Sequence, residues 1–195
     1  MMIKLTMPLL VATLLVACTT SEYPISNGYN KVNQLTKVET GDLTQFTLQK
    51  STFAWYPGRG KTYLPETSNK ALFTRYTEKA ITQIMQDKGY TFTSNIQQAD
   101  FLIGYGLAVE SELSDEQIFN KVGSNLGLSM SHLDPDKFQK GSALIAFYNQ
   151  HTFQTEWQVL AQGIAKVGLS QQDRKEKIEA VMFSMLNHVP TRIAE

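Results

Sequence analysis

The sequence predicts an α+β domain of two layers: a mostly antiparallel sheet with helices packed on one face, in the order strand, helix, strand, short helix, strand, strand, helix. Three observations carry this. Residues 101–109 alternate with period two, residues 143–166 read as two such runs joined by a short polar stretch, and residues 72–89 and 170–190 place apolar side chains at helical steps. Runs joined by a hairpin pair antiparallel, and a helix with one apolar stripe buries it against a sheet.

Residues 32–40 carry the weakest alternation, and residues 46–56 form an earlier strand ending in Ser51-Thr52-Phe53-Ala54-Trp55. The first helix follows from Leu72, Phe73, Tyr76, Ala80, Ile81, Ile84 and Met85, and stops at Asp87-Lys88-Gly89 with the glycine in the left-handed position. In the next strand Phe101, Ile103, Tyr105, Leu107 and Val109 share a bulky face, and Leu102, Gly104, Gly106 and Ala108 share a small one. Something must pack closely over those glycines. Ser114 with Gln117 caps a shorter helix reaching residues 120–126. Strands at 143–148 and 157–166 flank the polar stretch 149–155. The last helix has Ile178, Val181, Met182, Met185, Leu186 and Val189 on one stripe, Ser170 with Asp173 as its capping pair and Pro190 as its stop.

The chain has 195 residues, 42% hydrophobic and 18% charged, with 18 basic against 18 acidic side chains. That apolar content excludes a disordered protein. A formal charge of zero argues against nucleic acid as a partner, since phosphate binding requires a basic surplus.

Residues 1–17 read as a secretory signal: Lys4 supplies a positive start, and the thirteen apolar-rich residues 5–17 span roughly 20 Å, short of the ~30 Å hydrocarbon core. Leu15-Val16-Ala17-Cys18 matches the bacterial lipobox. The only cysteine of the chain stands where a thiol takes the diacylglyceryl group, so Cys18 is the expected lipid attachment and the membrane the expected partner through it. Two or more acyl chains anchor stably where one would not. Residues 18–30 form the acylated cysteine and a polar tether of about 20 Å root-mean-square reach, and residues 31–195 a single α+β domain. Thr19, rather than Asp, after the cysteine is the address for the inner leaflet of the outer membrane, facing the periplasm.

Three pieces resemble a known family. They are the Thr52-Phe53-Ala54-Trp55 strand, the Lys88-Gly89-Tyr90 helix end followed by Ala99-Asp100-Phe101-Leu102-Ile103-Gly104-Tyr105, and the late hairpin with Trp157 opening its second strand before a helix closing at Val189-Pro190. In this order, behind a lipobox, they resemble the bacterial lipoproteins of domain of unknown function 4136 over residues 40–190. The turn Asn149-Gln150-His151-Thr152 lacks the aspartate common near that position in the family. The resemblance implies a fold and a location, and brings no catalytic residues.

Chemistry-bearing motifs are few. Gly58-Arg59-Gly60-Lys61-Thr62 resembles a phosphate loop, but Trp55 occupies the position of its first glycine and Thr62-Tyr63-Leu64-Pro65 does not open a helix, so no nucleotide is expected. Gly104-Tyr105-Gly106 lies inside a strand. His132, His151 and His188 have no partners at metal-ligand spacing, and Asp134-Pro135-Asp136 reads as a turn, so no metal or other cofactor is expected. Residues 173–179 read as a solvated charged face. Trp55 and Tyr56 sit at a strand end, where core packing is the ordinary role and stacking on a sugar or partner the alternative.

Residues 127–141 form a long connection with Met130 and Phe138 among polar neighbours, and these two are the expected contacts with an envelope protein partner. The leading functional expectation is a non-catalytic, lipid-anchored envelope interaction module. The alternative is a binder of a small apolar or glycan ligand between sheet and helices; a hydrolase is the third reading and has no motif behind it.

Overall fold

The computed structural model describes residues 35–46, 50–124 and 126–192. The signal segment, Cys18 and the tether lie outside them. In chain order the elements are β1 (Leu35–Gly41), β2 (Thr52–Trp55), β3 (Lys61–Tyr63), α1 (Lys70–Asp87), β4 (Thr91–Phe92), β5 (Phe101–Val109), α2 (Asp115–Val122), β6 (Phe138–Asn149), β7 (Thr155–Lys166) and α3 (Gln171–Leu186).

The long strands β1, β7, β6 and β5 pair antiparallel in that order, and the short β2 and β4 complete the sheet in parallel. The fold class is the expected one, with two short strands, β3 and β4, that two or three residues of pattern do not announce. β3 lies beyond β2 along the same edge of β5, also parallel to it. Parallel neighbours need a crossover, and α1 supplies it between β2 and β5.

Strand parity sorts the core. Odd-numbered residues face α1 and α3: Phe53, Phe101, Ile103, Phe147, Trp157 and Val159 are buried against Ile81 and Met85 of α1 and Met182 and Met185 of α3. Even-numbered residues face the other way, where α2 covers Ala108, Leu144 and Leu160 with Ile118 and Val122. The two long helices thus share the expected face, while the short α2 sits opposite because its apolar side chains meet strand residues of the other parity.

The predicted caps hold, although α2 stops at Val122, where Gly123 turns left-handed, short of residue 126. Gly89 is left-handed at φ 87, and the amides of Gly89 and Tyr90 donate to the carbonyls of Gln86 and Met85, closing α1. Ser114 and Gln117 cap α2 reciprocally, and the Asp173 amide donates to Ser170 Oγ at 3.1 Å. The close cover is aromatic over Gly104 alone; over Gly106 the nearest atom is the Lys61 carbonyl oxygen, 3.5 Å from where a Cβ would lie. Tyr56 stacks on Tyr148 with centroids 4.2 Å apart, and a Cβ on Gly104 would lie 2.9 Å from Tyr148 Cε2.

Two expectations need correction. Residues 138–141 continue β6, pairing with 163–166 of β7, so the loop is shorter than its sequence suggests. Along the 173–179 stretch, Lys177 is not wholly solvated: its Nζ donates to the Ile164 carbonyl at 2.7 Å, and burial lowers its pKa.

Candidate functional site

β2 ends at Trp55, and β4, its outer neighbour, pairs only with Thr52 and Phe53. Among the described residues no strand therefore covers the outer flank of Trp55, whose ring stays half-buried beside Phe92 with centroids 6.2 Å apart. Between this aromatic edge and the outer side of α1 runs a groove of about 540 Å³, bordered on the helix by Thr74, Arg75, Glu78 and Lys79. A smaller groove of about 220 Å³ lies against Pro57, Arg59 and Ser94. Trp55 and Phe92 line both grooves.

The polar side of the groove is preset. Glu78 Oε1 takes Arg59 Nε at 3.0 Å and accepts from the Tyr105 hydroxyl at 3.2 Å. Burial, with the charge of Glu78 adding to it, pushes the Tyr105 pKa up to about 12, so the phenol remains a donor at neutral pH. The Arg59 guanidinium lies 5.7 Å from the Trp55 ring, within cation–π range. Gly60 makes this approach feasible: its φ is +76, its amide donates to the Tyr105 carbonyl at 3.0 Å, and a Cβ there would come 2.9 Å from Tyr105 Oη. Lys61 opens a strand rather than a helix, so the glycine-rich stretch positions Arg59 instead of cradling a phosphate.

Met130 and Phe138 are both half-buried, and Phe138 stands in β6 opposite Lys166. Lys140, with only 4% of its side chain exposed, ties this region to α2. Its Nζ reaches Glu110 at 2.8 Å, Asp115 at 2.9 Å and the Leu128 carbonyl at 3.1 Å. Burial opposes the lysine charge, but the hydrogen bonds to Glu110 and Asp115 outweigh it and hold the pKa above the usual value.

His132 and His151 are exposed, and His188 Nδ1 lies 3.0 Å from Glu39. Asp134 Oδ1 accepts from the Asp136 amide at 3.0 Å, the local turn its sequence suggests. Asn149 does the equivalent work in the hairpin turn, accepting from the amides of His151 and Thr152. Among the described residues no group of three or more His, Cys, Asp or Glu side chains is placed to hold a metal, and no helix is long and apolar enough to cross a membrane.

The sequence marks Trp55 as a strand-end aromatic but gives no sign that Phe92, Arg59 and Glu78 gather around it. Phe92 sits in a two-residue strand, and Arg59 and Glu78 pair across nineteen positions. The only sequence signal was an aromatic at a strand end next to a glycine-flanked arginine.

No curated protein matches the chain in sequence. Among solved structures, a DUF4136 family protein from Bacteroides thetaiotaomicron superimposes with a TM-score of 0.53 at 14% identity, covering 84% of this chain and 100% of that one, a similarity of fold alone. Looser similarities are to the PelC dodecamer from Paraburkholderia phytofirmans (TM-score 0.47, 7% identity, 82% and 100% covered) and to a lipoprotein from Neisseria meningitidis (TM-score 0.39, 10% identity, 70% and 99% covered). The sequence model of one family, domain of unknown function DUF4136, matches residues 36–191, nearly the whole of the described fold, and the chain belongs to that family.

Proposed function

We propose that the protein is a lipid-anchored, non-catalytic module of the bacterial envelope, held at the inner leaflet of the outer membrane through Cys18, and that it docks another envelope component onto the sheet edge at Trp55 and Phe92. The observation that carries this reading is the exposure of that edge. Two large aromatics packed against the edge of the core also line two grooves open to solvent. Aromatic side chains bring a large contact area at low entropic cost, which suits them to anchor a partner. Met130 and Phe138 form a second, smaller contact, supported by the way Lys140 holds their surroundings against α2.

A photo-crosslinking side chain in intact cells tests the proposal. Placed at Ala71, which lines the larger groove, it is expected to trap a discrete adduct, and placed at Met130 a weaker one. Placed at Phe183, 65% exposed on the outer side of α3, it is expected to trap none. Equal labelling at all three positions, or none at Ala71, would overturn the reading.

A further inference from the structure

We infer that the groove along Trp55 and Phe92 binds an acidic glycan chain; this deepens the binding-module reading above and rests on it. The inference stands on shape, aromatic surface and charge together.

The two grooves adjoin along one sheet edge and share the Trp55 and Phe92 rings. Their volumes, about 540 and 220 Å³, match a short run of sugar rings rather than a single small metabolite enclosed on all sides. A pyranose ring offers a flat face of C–H groups with hydroxyls around its rim. It therefore needs a flat apolar surface bordered by hydrogen-bonding side chains. Trp55 and Phe92, their rings tilted 53° to one another, offer one apolar facet each, enough for successive sugar rings, and Thr74, Glu78 and Gln83 give the polar border.

Charge selects the acidic class. Arg75, Lys79 and Arg59 border the grooves, with Glu78 as their carboxylate. Glu78 is already engaged by Arg59 and by the Tyr105 hydroxyl. Among the described residues neither Arg75 nor Lys79 has a carboxylate within 4.0 Å, and both are exposed on one side of α1, four residues apart. On a chain whose formal charge is zero, this local surplus is a feature of the groove rather than of the whole surface. An acidic peptide would satisfy the charges, but one added to the sheet as a strand would need main-chain bonds along the edge, and β4 offers only two residues.

The full-length lipoprotein in a non-ionic detergent micelle is titrated with oligogalacturonate, with neutral xylo-oligosaccharide and with a poly-glutamate peptide. The chain has two tryptophans, of which Trp157 is 2% exposed, so a change in tryptophan emission reports chiefly on Trp55. Oligogalacturonate is expected to give a saturable shift that Arg75→Glu with Lys79→Glu weakens at least tenfold. The thermal midpoint should be unchanged, because both side chains are exposed. Lys121→Glu, on α2 across the sheet, should leave the titration as it is. Binding of poly-glutamate as tight as that of the glycan would overturn the assignment in favour of an acidic peptide. Equal weakening by Lys121→Glu would overturn it in favour of diffuse charge attraction, and no saturable shift at millimolar glycan would overturn it outright. In that last case crosslinks from Ala71 would leave the binding-module reading standing, whereas their absence would remove both.

Discussion

Lys140 of β6 and Asp115, the first residue of α2, form an ion pair at 2.9 Å with the lysine side chain almost wholly buried. The same carboxylate accepts from Nε2 of the fully buried Gln162 at 2.8 Å, so one acidic side chain joins the helix to two strands. Taking away the cation leaves that carboxylate facing a desolvated space, and the loss exceeds that of a surface pair. Lys140→Met is expected to destabilise the domain by about 2–4 kcal/mol, read from the denaturant midpoint. A change below about 0.5 kcal/mol would mean that water replaces the lysine at no cost.

A pair of glycine substitutions on one strand distinguishes close packing from mere strand preference. Gly104→Ala pushes a methyl group against the Tyr148 ring and should destabilise by about 1–3 kcal/mol. Gly106→Ala meets its nearest atom, the Lys61 carbonyl oxygen, at 3.5 Å and should be neutral or slightly stabilising. Chemical denaturation of both variants decides the point, and similar losses would refute the aromatic cover.

Alkaline pH should loosen the fold through its tyrosines. Tyr90 and Tyr105 both have pKa values raised from 10.0 to about 12, chiefly by burial. Each favours the folded state fully below pH 10, and that contribution is lost as pH climbs toward 12. Stability measured between pH 9 and 12 should therefore fall, and Tyr105→Phe should flatten part of the fall. Tyrosinate absorbance that rises in step with unfolding rather than before it would agree with this.

Replacing Met130 and Phe138 together by Ser should lower stability by about 1–3 kcal/mol, since both are half-buried, and leave a cooperative transition. Adducts trapped from position 71 should persist. Their loss in a folded double variant would make the 130–138 region the main contact instead.

Cys18→Ala should release the protein from membranes and leave a longer, unprocessed precursor, as seen by fractionation and mass spectrometry. Normal membrane retention would refute the lipid anchor.

How much of this was legible depends on the length over which a pattern repeats. The nine residues of β5, the caps at Ser114 and Ser170 and the left-handed Gly89 all speak through local periodicity or stereochemistry, and each is where the sequence places it. β3 and β4 are too short to have a period. Phe138 looks like loop in the sequence because Gln139, Lys140 and Gly141 break the apolar alternation, yet they pair with β7 without interruption. Lys140 is buried where two carboxylates and the Leu128 carbonyl converge on it, and such convergence leaves no trace in spacing. Trp55 could be placed on a strand, but its exposure depends on where β4 stops.

The pairing of β1 with β7 joins the first described strand to the last, Leu35 lying opposite Gly163. α1 likewise packs on α3, and the Arg192 amide donates to the Lys88 carbonyl at 2.8 Å. A chain passing N-terminus first through a narrow channel would emerge with β1 lacking its neighbour until β7 had followed. Contacts so distant in sequence form slowly, because a long loop must close before they are rewarded. This topology therefore delays its own closure: in a polypeptide threaded across a membrane β5 could pair with β2 and β6 early, but the edge of β1 would stay open until β7 had crossed.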